Sequence, residues 1–239
     1  MREKLELARD PRTPLEVLEG LACDPTPSVR WEVARNPSTP EEVLKQLAED
    51  VRWSVRRGVA RNRNTPAEIL EKLAEDEEPS VRWAAATNPN VPVPVLERLS
   101  QDPGMRWAVA QNTRTPVEIL EELAGEEDRW IRQGVAGNPS TPAPILERLS
   151  QDPEVWVRQE VARNPSTPVH VLVGMYRDSD VEVQWKVAKR LLELLEELPE
   201  DPALWLFVWK KADEKERRRI EEHPYGRGIA VLAGLSCPC

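Results

Sequence analysis

The sequence predicts an all-α solenoid, in which small helical modules stack in a line. The octet VARNPSTP stands at residues 33–40 and again at 161–168, with the near copy VAGNPSTP at 135–142. The Ala of this motif recurs at Ala8, Ala34, Ala60, Ala86, Ala110, Ala136, Ala162 and Ala188, in steps of 26 residues with a single step of 24. No stretch alternates apolar and polar residues in the manner of a strand. A fixed period in this range marks modules too small to bury their own apolar faces, so that each must stack on its neighbours.

One module, VRWEVARNPSTPEEVLKQLAED at residues 29–50, predicts the elements in order. Val29, Val33 and Ala34 share one face of a first helix at i, i+4, i+5 spacing. That helix ends near Asn36-Pro37, because proline has no N–H and disfavours helical geometry in the residue before it. Thr39 is then expected to cap a second helix with Pro40 at its first position and Glu42 closing a capping box, a device repeated at Thr13/Glu16, Thr65/Glu68 and Thr115/Glu118. Val43, Leu44, Leu47 and Ala48 form the inner face of the second helix, and Asp50 closes the module.

The pattern VRxxVAxNPxTPxxxLxxLAxD over roughly residues 5–188 resembles the leucine-rich repeat variant family, with HEAT-type solenoids the nearest similar architecture. The resemblance implies a right-handed α-solenoid (superhelix) of about seven 26-residue helix-turn-helix repeats with a C-terminal helical cap. It also raises a redox link, since members of that family can carry a cysteine-rich iron-sulfur segment outside the repeats. Here the cysteines are Cys23, Cys237 and Cys239. An all-cysteine cluster within one chain takes four thiolates, so no cofactor is expected, and the candidate metal ligands are Cys237 and Cys239, by dimerising or together with His223.

The predicted organisation is a solenoid over 1–188, a helical cap over 189–228 and an apolar tail over 229–239 ending Cys-Pro-Cys. In the cap, VAKRLLELLEELPEDP continues as a longer amphipathic helix stopping before Pro199. Asp201-Pro202 starts another helix, whose run LWLFVW at 204–209 is apolar all round and needs cover on more than one side. HPYGRG then reads as a turn leading into the tail.

Composition narrows the function classes. The net charge is −9, and residues 189–239 hold nine Lys/Arg against ten Asp/Glu, leaving the repeats with 24 positive and 32 negative side chains. Nucleic acid is therefore a disfavoured partner, because phosphate binding normally leaves a positive footprint. No run approaches the roughly 18 apolar residues that a membrane helix needs, and MREKLELARD has no signal-type apolar core, so a cytoplasmic location without membrane association is expected. With only His170 and His223, no Gly-rich phosphate loop and no nucleophile elbow, the chain is not expected to be an enzyme.

Two side-chain series remain. Arg30, Arg56, Arg82, Arg106, Arg132 and Arg158 stand four residues before the motif Ala, and an acidic residue stands six before most of them, at Asp24, Asp50, Asp76, Glu126 and Asp152. They read as a structural ladder of Asp–Arg pairs, ending where Asp178 faces Gln184. The next position holds Trp31, Arg57, Trp83, Trp107, Gln133, Gln159 and Trp185, with Arg35, Arg61 and Arg163 one turn on and small residues between at Gly58, Ala84, Ala108 and Gly134. Trp31, Arg35, Arg57, Arg61, Trp83 and Trp107 are the proposed face for a protein or peptide partner, since Trp offers rigid contact area and Arg adds charge or stacking. The competing reading is that these rings lie across the adjacent module and seal it. The sequence thus points to a non-catalytic interaction scaffold, with a metal-linked redox accessory and a HEAT-like nucleic-acid binder as alternatives.

Overall fold

The computed structural model describes residues 1–235 and divides into two compact units, one of Met1–Leu123 and one beginning at Ala124. Cys237 and Cys239 lie outside the described residues. Among the described residues every regular element is a helix, and the architecture is an α-solenoid. The first unit holds α1 (Arg2–Arg9), α2 (Leu15–Ala22), α3 (Pro27–Arg35), α4 (Glu41–Leu47), α5 (Trp53–Arg61), α6 (Ala67–Leu73), α7 (Pro79–Ala86), α8 (Val93–Ser100), α9 (Arg106–Gln111) and α10 (Val117–Leu123). The second holds α11 (Arg129–Gly137), α12 (Ala143–Leu149), α13 (Val155–Arg163), α14 (Val169–Met175), α15 (Val181–Glu193), a 3₁₀ turn at Leu195–Glu197, α16 (Pro202–Lys211), α17 (Glu214–Glu222) and α18 (Pro224–Leu235).

Each module buries the residues that the periodicity selects. In α3 and α4 these are Val29, Val33, Ala34, Val43, Leu44 and Leu47, and Val55, Val59, Ala60, Ile69, Leu70 and Leu73 repeat the set in the next module. At roughly 1.5–3 kcal/mol for each fully buried large aliphatic side chain, this stripe supplies most of the favourable free energy of stacking.

Polar ladders fix the register. Asn62 is buried, and its Nδ2 donates to the carbonyls of Ala34 (2.8 Å) and Asn36 (2.9 Å) in the preceding module, while its Oδ1 accepts from Asn64 N–H at 2.9 Å. Asn36, Asn88 and Asn112 in the first unit and Asn164 in the second do the same. The amide closes the turn and satisfies two carbonyls at the end of the neighbour's first helix, groups that would otherwise be buried without a donor. The Asn of the Asn-Pro pair is therefore an inter-module clamp as well as a turn residue.

Two expectations are corrected here. Thr39 is not the N-cap of α4: Pro40 holds that position, and the Thr39 hydroxyl donates back to the Val33 carbonyl at 2.5 Å. Thr13, Thr65 and Thr115 likewise donate to Leu7, Val59 and Val109, and the expected capping boxes with Glu16, Glu42 and Glu68 do not form; at Thr115/Glu118 the hydroxyl is engaged in the same way. A buried hydroxyl beside a free helix-terminal carbonyl gains more by satisfying it than by accepting from an N–H that solvent can reach.

The Asp–Arg ladder runs the other way along the chain. Arg56 sets Nε and Nη2 on the carboxylate of Asp76, in the following module, at 2.6 and 2.8 Å, and its Nη1 on the main-chain carbonyl of Asp50, six residues earlier, at 2.8 Å. Arg30–Asp50, Arg132–Asp152 and Arg158–Asp178 repeat the fork. Each Asp also accepts from the N–H two residues on, as Asp76 does from Glu78. Burial pushes the Asp76 carboxyl up, but Arg56 and the Glu78 N–H outweigh it and hold the group below its ordinary value; Asp50 and Asp178 behave alike. The ladder does not break at Asp178, which pairs with Arg158, while Gln184 donates to the Asp178 carbonyl as the arginines do. The 24-residue module loosens one rung instead: Arg82–Asp102 opens to 3.5 Å and is more exposed.

Beyond the repeats, Asp201 and Asp213 cap α16 and α17, the latter through a capping box with Glu216. The run 204–209 is covered on several sides: Trp205 is fully buried with Nε1 donating to Pro199, and Phe207 meets the edge of Tyr176. HPYGRG is no turn but the start of α18, so the expected boundary at 228/229 falls inside that helix. Gly226 allows α18 to close on α17, since a Cβ there would sit 2.1 Å from the Ile220 carbonyl oxygen.

Candidate functional site

The first helices of the unit Met1–Leu123 are α-helical, so the position after each ladder arginine points away from the core as the helical wheel requires. Trp31 and Trp83 are half-buried and Trp107 is exposed. Trp31 rests over the next module: a Cβ on Gly58 would meet Trp31 Cδ1 at 3.1 Å and Ala34 Cβ at 3.0 Å. Sealing and display thus coexist, one edge of the ring filling the space above Gly58 and the rest facing outward.

The structure brings the predicted residues into two adjoining sets. The Arg35 guanidinium lies over the Trp31 ring, 4.6 Å from its centroid. Arg61 lies over Trp83 at 5.7 Å, and Trp83 stacks on Trp107 with centroids 6.1 Å apart and planes 17° apart. Arg35, Arg61, Arg63, Trp83, Thr87 and Pro89 line one open cleft of about 490 Å³. Arg57 and Trp107 flank this cleft without lining it; Arg57 stacks on Trp53 at 5.0 Å.

Charge is uncompensated here. Among the described residues Arg35, Arg57 and Arg61 have no carboxylate partner, and the Arg57 Nε is shut off from solvent with no acceptor. Burial, then the positive charges of Arg57 and Arg35, pull the Arg61 pKa down from its ordinary value. The same register elsewhere is neutralised: Arg9 bonds Glu32 at 2.6 Å. In the second unit Arg163 reaches Glu160 at 3.4 Å and Lys189 reaches Glu216 at 2.6 Å.

The family model described as leucine rich repeat variant matches residues 53–78, 79–104 and 129–154. Three of the repeats thus match that family. A solved structure described as "a leucine-rich repeat variant with a novel repetitive protein structural motif" is similar to this chain at 27% identity, covering 80% of this chain and 81% of the other, with a TM-score of 0.50. Among curated proteins none matches significantly. Repeats that match this family thus lie in both units, so the module is common to the two while the cleft belongs to the first.

Of the remaining candidates, His170 is exposed, and Cys23 is an exposed free thiol near the Gln46 amide. Among the described residues no group of His, Cys, Asp or Glu is placed to hold a metal, and no helix is long and apolar enough to cross a membrane. Sequence reasoning missed Arg63 and Trp53, which belong to the same surface, and the exposed pair Trp130 and Trp156 at the starts of α11 and α13. The last two stand 26 residues apart in one register, a signal the period makes available.

Proposed function

We propose that this chain is a non-catalytic interaction scaffold that binds a protein or peptide partner on the first-helix face of its first unit. The observation that carries this reading is the Arg61–Trp83–Trp107 stack standing at an open cleft. Stacked Trp and Arg are the side chains that most often dominate binding energy at protein interfaces, and repeat arrays typically bind partners along such extended surfaces. The asparagine and Arg–Asp ladders hold this surface on a rigid frame, which lowers the ordering cost of association.

The test is selection of peptides from a random displayed library against the intact chain. Peptides recovered on the wild type should bind a Trp83→Ala/Trp107→Ala double variant at least about tenfold more weakly, the loss expected of a hot-spot pair. Its circular dichroism and melting should match the wild type. A double variant that binds the selected peptides unchanged, or that loses its helicity, assigns the rings to sealing and rejects the reading.

A further inference from the structure

The row of cations on the first-helix face changes character along the first unit. At one register stand Arg9, Arg35, Arg61, Thr87 and Gln111 in consecutive modules. Arg9 is paired with Glu32 and the last two are uncharged, so within this register the bare charge stands at Arg35 and Arg61, with Arg57 beside it and Arg63 in the same cleft. Like charges held this close without carboxylate partners, in a chain of net charge −9, oppose folding, and Arg61 feels both Arg57 and Arg35. Arg57, beside the cleft and stacked on Trp53, adds a charge whose Nε is enclosed without an acceptor.

We propose that the Arg35–Arg61–Trp83 cleft receives a short acidic peptide segment. One or two carboxylates dock on the forks of Arg35 and Arg61, with a neighbouring side chain lying against the Trp83–Trp107 stack. This deepens the scaffold reading above and rests on it. Guanidinium forks match carboxylates in a bidentate manner, and an opposite charge relieves the mutual repulsion of the three arginines. The length of the row selects the ligand class: two adjacent modules offer charge for one or two anionic groups. A nucleic-acid strand, with a phosphate on every nucleotide, would run on past the charged pair to Thr87 and Gln111, where the row offers no cation.

The experiment is fluorescence anisotropy on the intact chain with three labelled probes: an octapeptide carrying an Asp-Glu-Leu-Glu core, its Asn-Gln-Leu-Gln isostere and an oligothymidylate of similar charge. The acidic peptide should bind at least about tenfold more tightly than the isostere, and should weaken as salt screens the pair. Arg35→Ala/Arg61→Ala should abolish that preference with melting unchanged, since both side chains are exposed. Equal affinity for the two peptides, with loss in the Trp83→Ala/Trp107→Ala variant, overturns the acidic class and leaves the scaffold reading standing. Tighter binding of the oligothymidylate overturns it in favour of nucleic acid. Binding of no probe also overturns it, and the displayed-library selection then decides the scaffold reading separately.

Discussion

The two units share a frame and differ on the surface that frame presents. In both, buried Asn side chains clamp the carbonyls of the preceding module and Arg–Asp forks tie each module to the next at 2.6–2.7 Å through Nε. On the first-helix face the first unit sets Trp31, Trp83 and Trp107 beside unpaired arginines, where the second sets Gln133, Gln159 and Trp185 beside cations matched to Glu160 and Glu216. Lys186 in the second unit also donates to the Gln159 Oε1 at 2.6 Å. The difference teaches that module identity and surface chemistry are separable: the ladder positions are fixed by stacking, and the outward positions are free to vary.

The largest expected effects test the shared frame. Arg56→Ala in the first unit and Arg132→Ala in the second should each destabilise by about 3–5 kcal/mol, because each leaves a nearly buried Asp carboxylate unpaired. Chemical denaturation of the two variants measures this, and clearly unequal losses would break the claim of a common frame. Arg82→Ala should cost only about 1 kcal/mol, since its rung is longer and its Asp102 partner more exposed.

Next in size is Gly58→Ala, which forces Trp31 or the backbone to yield and should cost about 1–3 kcal/mol. The adjacent Trp31 emission should shift with it. A neutral substitution would detach the ring from the sealing role described above.

The pH dependence should be alike in the two units. Asp50, Asp76 and Asp178 are held below their unfolded value of about 3.9, so the stability they contribute is fully present above that pH and is lost as pH falls through their folded values. Asp24, hydrogen-bonded first by Lys4 and then by the Thr26 N–H, is held at about 2 and releases its share last. Asp76→Asn and Asp178→Asn should each flatten the acid limb of a melting-against-pH curve; a limb unchanged in both assigns the acid transition to other carboxylates.

The smallest effect sharpens the contrast itself. Arg35→Ala and Arg163→Ala should each move stability by less than about 0.5 kcal/mol, as exposed residues outside the ladders do. Loss of stability at Arg163 alone would show that its Glu160 contact contributes more than a surface pair ordinarily does.

The modules and their buried stripe are legible in the sequence because apolar spacing and proline punctuation act locally. Thr39 misleads for the same reason: Thr-Pro followed by Glu is a local capping signature, whereas the hydroxyl answers to a carbonyl six residues back that only the folded turn brings near. The direction of the Arg–Asp forks is likewise hidden, since the carboxylates six before and twenty after an arginine are equally regular in sequence. The candidate face is legible at Trp31, Arg35, Arg61, Trp83 and Trp107, which two registers four residues apart select. Arg57 carries the right charge but turns onto Trp53 of its own helix, a contact between residues four apart that a repeat-by-repeat reading passes over.

The 24-residue module has a consequence for how such a chain can change length. Asn112 still clamps Ala86 at 2.6 Å and Asn88 at 3.1 Å, so the missing residues leave the asparagine clamps intact, while the fork at Asp102 is stretched. In this module the asparagine edge stays stitched and the Arg–Asp edge takes up the change. Insertions, deletions and grafted loops are expected to be accepted at the turn where Asp102 stands, at a cost where Asp50 and Asp76 hold tight forks, and rejected at Asn-Pro.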